Sequence, residues 1–210
     1  NNPTAGEDVA DNIPVFVGCE DGYAIYRIPG FLAIPRGATL ADGQTLEADR
    51  LVAIAEARRD GALDTGVIDL ALKISDDRGA SWSDQVIVCR HQLGQHRGKC
   101  GNPTPVFDQS SGKLILAYNL SGLETDPRYH SAHLVISEDG GSTWGSPPKL
   151  GLYIYLFGPG FVSQKMHAPD KGRLPLRGFV EGQAYVYYSY DSGQTWMRGG
   201  GLAGGNETDV

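Results

Sequence analysis

Three octets in this chain repeat one pattern, S-x-D-x-G-x-[ST]-W: Ser75 to Trp82, Ser137 to Trp144 and Ser189 to Trp196. They end on the three tryptophans of the sequence. Each follows an apolar stretch (LALKI, HLVI or AYVYY), which places it where a strand turns back on itself. The residue types suit a hairpin loop. The Asp carboxylate can accept hydrogen bonds from turn amides, the Gly can take a left-handed backbone, and the Trp can fold back as an apolar plug. The octets begin 62 and then 52 residues apart. Repetition at that period marks an array of similar units, a little longer than the roughly 40–50 residues of a four-stranded propeller blade. The device is structural, so chemistry has to come from residues between the octets.

Composition agrees. Gly and Pro number 29 and 12 of 210 residues, well above their usual combined share of roughly 12%, while hydrophobic residues still make 40%. That mix disfavours long helices and disorder alike. Short apolar stretches bounded by turn residues predict strands at Tyr23–Ile28, Val67–Ile74, Gln85–Cys89, Lys113–Asn119, His133–Ile136 and Ala184–Ser189. One segment conflicts: Gln44 to Asp60 has no Gly or Pro and is rich in helix formers. Its continuous apolar run from Leu51 to Ala55 has strand length, however, and helical spacing would put Val52 on the wrong face, so a strand is expected at Leu51–Ala57. Leu152 to Phe157 is more apolar than a loop should be, and Phe161 to Arg177 departs from the strand pattern. The expectation is an all-β propeller with about three blades in this chain, residues 1–210 being one part of a single domain.

Net charge is −7 and the basic residues are scattered, which argues against nucleic acid as a partner. The longest apolar runs fall far short of the ~20 residues that span a bilayer, so no membrane partner is expected. Cys19, Cys89 and Cys100 form no CxxC or Cys/His cluster, which speaks against zinc. A bridge from Cys89 to Cys100 is one option; buried free thiols are the commoner state and the expectation here.

The octets match the Asp box, and further residues resemble the sialidase family. Tyr26-Arg27-Ile28-Pro29 looks like the family's [FY]-R-I-P signature, and it stands 48 residues before the first octet. In that signature the Arg is one of three that hold the substrate's carboxylate, a task suited to a planar, permanently charged fork. Ala55-Glu56-Ala57-Arg58 resembles the family's A-E-x-R, which implies that Arg58 contacts the sugar ring. The resemblance makes Asp64, six residues on, the general acid and base. Asp60 is its rival, and Asp69, alternating with apolar neighbours, is expected to be structural. Gly101-Asn102-Pro103-Thr104-Pro105-Val106-Phe107-Asp108 resembles a family strand and turn beside the acyl-amino pocket. Leu202 to Val210 resembles G-x-N-E-x-x-V, whose Glu, here Glu207, polarises a tyrosine nucleophile. Such a neutral phenol can approach an anomeric carbon that already bears a carboxylate.

The resemblance therefore implies an exo-α-sialidase with a six-bladed propeller, of which this chain resembles the N-terminal half. It implies a sialylated glycan as substrate, a retaining mechanism and no metal or organic cofactor. The tyrosine and the other two arginines would come from a second chain or from the missing C-terminal half of the propeller. The octets are expected on the face opposite the substrate, their tryptophans largely buried, with Arg27, Arg58, Asp64 and Glu207 converging on one cleft. A secreted, periplasmic or lumenal location is expected over a cytoplasmic one. Two alternatives remain: a non-catalytic propeller binding glycan or protein, and a propeller glycosidase or lyase acting on another acidic sugar.

Overall fold

The computed structural model describes residues 13–64, 66–90, 99–123, 126–145, 149–152, 155–157, 161–163, 174–180 and 183–203. Among these residues the structure is all β, in three sheets. The first sheet is an antiparallel meander of β1 (Ile25–Ile34), β2 (Arg50–Arg58), β3 (Ile68–Ser75) and β4 (Val86–Cys89). The second repeats it with β5 (Lys99–Asp108), β6 (Lys113–Leu123), β7 (Asp126–Ser137) and β8 (Lys149–Leu152). The chain then places β9 (Tyr155–Phe157), crosses to lay β10 (Phe161–Ser163) parallel on β5, and returns for β11 (Leu174–Val180), β12 (Gln183–Ser189) and β13 (Met197–Ala203). The third sheet has the order β13-β12-β11-β9.

The sheets stack as successive blades, and the two interfaces between them are the core. Leu32, Ile34, Val52, Ile54, Leu70 and Leu72 of the first sheet meet Phe107, Leu114, Leu116 and Val135 of the second. Ile115, Ala117 and Leu134, on the other face of the second sheet, meet Leu156, Leu174, Leu176 and Tyr187 of the third. A middle strand buried on both faces reads as a continuous apolar run, as Leu114 to Ala117 does. The same logic settles the segment with helical propensity: β2 forms because Val52 and Ile54 enter the core while Ala53, Ala55 and Ala57 are buried on the reverse face.

The three octets occupy equivalent loops with one bonding plan. Ser75, Ser137 and Ser189 each donate from Oγ to the Asp two residues on, at 2.7, 2.8 and 2.7 Å. Those serine oxygens accept the amides of Gly79, Gly141 and Gly193 at 2.8, 2.7 and 2.9 Å. Asp77, Asp139 and Asp191 accept the amides of Ser81, Thr143 and Thr195 at 2.8, 2.9 and 2.8 Å. The hydrogen bonds from Ser81 and Thr195 hold Asp77 and Asp191 at a pKa of about 2. The box glycines have φ of 89°, 109° and 85°, the left-handed region in which a Cβ is strained. Most of each tryptophan is buried, as expected. An indole N–H needs an acceptor, and Trp144 and Trp196 fold back to donate to the carbonyls of Gly141 and Gly193.

Three corrections concern covalent and strand structure. Cys89 and Cys100 are bonded, with Cα atoms 6.2 Å apart, because β4 ends and β5 begins in the same inter-sheet core. Cys19 is a free thiol but exposed. The irregular stretch from Leu152 to Arg177 contributes β9, β10 and the start of β11; two of these have three residues, too few for a period to register.

Candidate active site

β1 and β3 run from one end of the stack to the other, so the end where β1 begins and β2 finishes is opposite the end that carries the octets. Arg27, Arg58 and Asp64 all lie at the former end, and the structure brings them together. Glu207 lies outside the described residues.

A bulge aims Arg27. The β1–β2 register runs Arg27 to Glu56 and then jumps to Gly30 and Ile54. The extra residue bends the strand, and Ile28 takes φ 50°, a costly conformation for a β-branched side chain. Arg27 NH1 donates to the carbonyl oxygen of Ala62 at 2.8 Å and to Asp64 Oδ1 at 3.4 Å. The rest of its guanidinium meets no acceptor among the described residues, and the side chain is 41% exposed.

Arg58 is the opposite case. Its side chain is 3% exposed and all its donor positions face acceptors. Nε and NH2 donate to Glu56 Oε2 at 3.0 and 2.5 Å, and NH1 donates to the carbonyls of Ala62 and Leu63 at 2.6 and 2.9 Å. NH2 also lies 2.8 Å from Asp64 Oδ1. Arg58, which the resemblance puts at the sugar ring, is engaged with protein on every edge.

Asp64 sits at the tip of the β2–β3 loop with its side chain 72% exposed. Lys99 Nζ donates to its carbonyl oxygen at 2.6 Å. The hydrogen bond from Arg58, helped by the charges of Arg58, Arg27 and Lys99, holds its carboxyl below the usual carboxylate range. Asp60 instead accepts the Val67 amide at 3.3 Å, a turn role. Asp69 is fully buried, accepts the Tyr23 hydroxyl at 2.7 Å and pairs with Arg59 at 3.2 Å. Tyr23 and Tyr26, the tyrosines beside this cluster in the first sheet, are not activated phenols. Burial, with Asp69 beside it, pushes Tyr23 up to about 12, and burial likewise raises Tyr26, which donates to Gln85 at 2.8 Å.

Sequence reasoning missed Glu56 and Asn102. Glu56, 4% exposed, uses Oε1 to accept the Asn102 amide at 3.1 Å, across to the next sheet. Asn102 has φ 52° at a β5 bulge that matches the one in β1. Both residues lie inside stretches that resemble the family, Ala55 to Arg58 and Gly101 to Asp108, but nothing local marks the two as partners. No group of His, Cys, Asp and Glu among the described residues could hold a metal.

Stacked sheets of four and five strands, boxes at one end and an Arg–Asp cluster at the other define a sialidase-type Asp-box β-propeller. The BNR repeat-like domain pattern matches residues 49–209, and the chain belongs to that family. It is 24% identical over 220 residues to a sialidase of Micromonospora viridifaciens, covering 94% of this chain and 32% of that protein. To a Clostridium perfringens sialidase it is 24% identical, covering 85% and 51%. Among solved structures, the Hadza microbial sialidase Hz136 matches with TM-score 0.67 at 20% identity, covering 86% of this chain and 38% of that one. The NanB sialidase of Streptococcus pneumoniae matches with TM-score 0.65 at 16% identity, covering 88% and 45%. The chain thus spans about a third to a half of the length of these relatives.

Proposed function

We propose that this chain is the N-terminal half of a six-bladed exo-α-sialidase acting on sialylated glycans. The observation that carries the proposal is the juxtaposition of a half-exposed Arg27, with guanidinium donors to spare, and an exposed Asp64 3.4 Å away. An anionic sugar finds at Arg27 a bidentate partner for its carboxylate. Asp64 stands beside it as the group to protonate the leaving oxygen and then activate water. Arg58 and Arg27 hold the Asp64 carboxyl below the usual carboxylate range. A bound carboxylate on Arg27 adds negative charge next to Asp64 and moves its carboxyl back toward the protonated form that a general acid needs. The tyrosine nucleophile and two further arginines belong to the remaining half, and Glu207 is the base that polarises the tyrosine, giving retention of configuration.

The test is turnover of an aryl sialoside by the full-length protein and by the 210-residue segment. Turnover by the full-length protein, its loss in Asp64→Asn and an inactive segment are the expected results. Robust turnover by the segment would place a nucleophile within these residues and overturn the half-site assignment. Tight sialoside binding without turnover would favour the non-catalytic binding module.

A further inference from the structure

We propose that Glu56 is a positioning residue, gripping Arg58 so that Arg58 in turn fixes the loop that carries Asp64. This rests on the sialidase reading for its catalytic meaning and deepens it.

The argument comes from a repeat inside the molecule. Register places Asn119 of β6 where β2 has Glu56, because Glu56 pairs with Arg27 before the β1 bulge and Asn119 pairs with Gly101 before the β5 bulge. Both side chains bridge to the inner strand of the next sheet. Asn119 Oδ1 accepts the Leu156 amide at 2.8 Å, as Glu56 Oε1 accepts that of Asn102 at 3.1 Å. A neutral amide therefore suffices for the bridge. A carboxylate buried at 4% exposure is costly unless it is paired, so the charge at Glu56 answers a different need.

That need is Arg58. With Nε and NH2 held by Glu56 Oε2, the rigid guanidinium directs NH1 at the Ala62 and Leu63 carbonyls and leaves NH2 beside Asp64. The planar fork carries the fixed position of β2 into an otherwise exposed loop. Gly101 leaves room for it, since a Cβ there would lie 2.9 Å from Glu56 Oε1. The charged groups facing Asp64 are Arg27 from β1, Arg58 from β2 and Lys99 from β5, while Asp60 of the same loop turns to the Val67 amide. Glu56 offsets part of Arg58's charge. Without it that charge would fall undivided on Asp64, holding the carboxyl further from its protonated form.

The test is Glu56→Gln in the full-length protein, which keeps the bridging oxygen and removes the charge. Asp64 is followed by carboxyl NMR titration, and the pH profile of kcat/KM is measured with an aryl sialoside. Asp64 should titrate at lower pH than in wild type, and the alkaline limb of the profile should move the same way. The value of kcat should fall by about tenfold or more, with a much smaller change in KM, as for a group that acts on the chemical step. Glu56→Asp should recover part of the loss. Removing the pair together, in Glu56→Gln/Arg58→Gln, should move Asp64 the other way, toward the usual carboxylate value; this variant also serves if Glu56→Gln does not fold. An unmoved Asp64 titration in Glu56→Gln, or a downward shift in the double variant, would overturn the proposal. If wild type shows no turnover while the two titrations move in opposite directions as stated, the sialidase reading falls and the positioning chain stands.

Discussion

Aligned by register, β1–β3 and β5–β7 carry the same bulge at the same height, and they differ in what is attached to it. Arg27, Glu56 and Arg58 of the first sheet correspond to Gly101, Asn119 and Ser121 of the second. Both bulges place a non-glycine residue in the left-handed region just before a proline: Ile28 at φ 50° and Asn102 at 52°. Both second strands carry a buried polar side chain that reaches the next sheet. In the third sheet the corresponding register position is Phe179, five residues beyond the Leu174 that pairs with Ser189. The scaffold is therefore common, and on the proposed reading the chemistry is a set of substitutions on it. The first sheet carries three charged residues where the neighbouring sheet has a neutral joint.

The strongest test converts the first sheet into the second. Arg27→Gly/Glu56→Asn/Arg58→Ser removes the buried ion pair as a unit, so the full-length protein should still fold. Its sialoside turnover should fall by at least about 10⁴-fold, since groups that act together are lost together. A variant that keeps a tenth of wild-type activity would show that the comparison misplaces the site. Asp64→Asn alone should cost about 10²–10⁴-fold in kcat, the usual contribution of a general acid.

Next in size is Asn119→Leu, which strands the buried Leu156 amide without its acceptor. It should lower stability by about 1–3 kcal/mol in denaturant unfolding. A smaller loss, near zero, would mean that the bridge between the second and third sheets is dispensable and the parallel with Glu56 superficial.

The boxes are what the sheets share, so Asp139→Asn and Asp191→Asn should act alike, each lowering Tm by about 2–4 °C. Asp191 has a folded pKa of about 2, below the usual carboxylate value, so its stabilisation is fully present above that usual value. It is lost as pH falls through about 4 toward 2. The wild-type Tm should decline across that window, and Asp191→Asn should flatten the decline.

The smallest effect separates the two bulges. Ile28→Gly relieves a left-handed conformation costing roughly 1–2 kcal/mol, partly offset by glycine's chain entropy, and should be neutral to mildly stabilising. Asn102→Gly should instead lose about 1 kcal/mol, because Asn102 Nδ2 donates to the Leu156 carbonyl at 2.9 Å.

What could be read from the sequence was local. An octet repeated with its own turn chemistry shows its loop, and the propeller class follows from three of them. That Arg27 and Asp64 would meet at one end was legible because each stands in a short recognisable context at a fixed distance from the first octet. Glu56 and Asn102 lie 46 residues apart, and Asn119 and Leu156 lie 37 apart. Their pairing depends on how one blade rotates against the next, which no window of sequence encodes. The burial of Arg58 and the bond between Cys89 and Cys100 were hidden for the same reason.

That bond also bears on how the molecule is made. Both cysteines fall within the first 100 residues, and the link they form between the first two sheets needs nothing from the third. A chain emerging N-terminus first into an oxidising compartment can fasten the joint beside Lys99 and the Asp64 loop while the later blades are still being synthesised. In a reducing cytosol the same joint must wait for apolar packing alone. The yield of correctly built protein from a host cell then depends on where the nascent chain is sent, before any substrate is met.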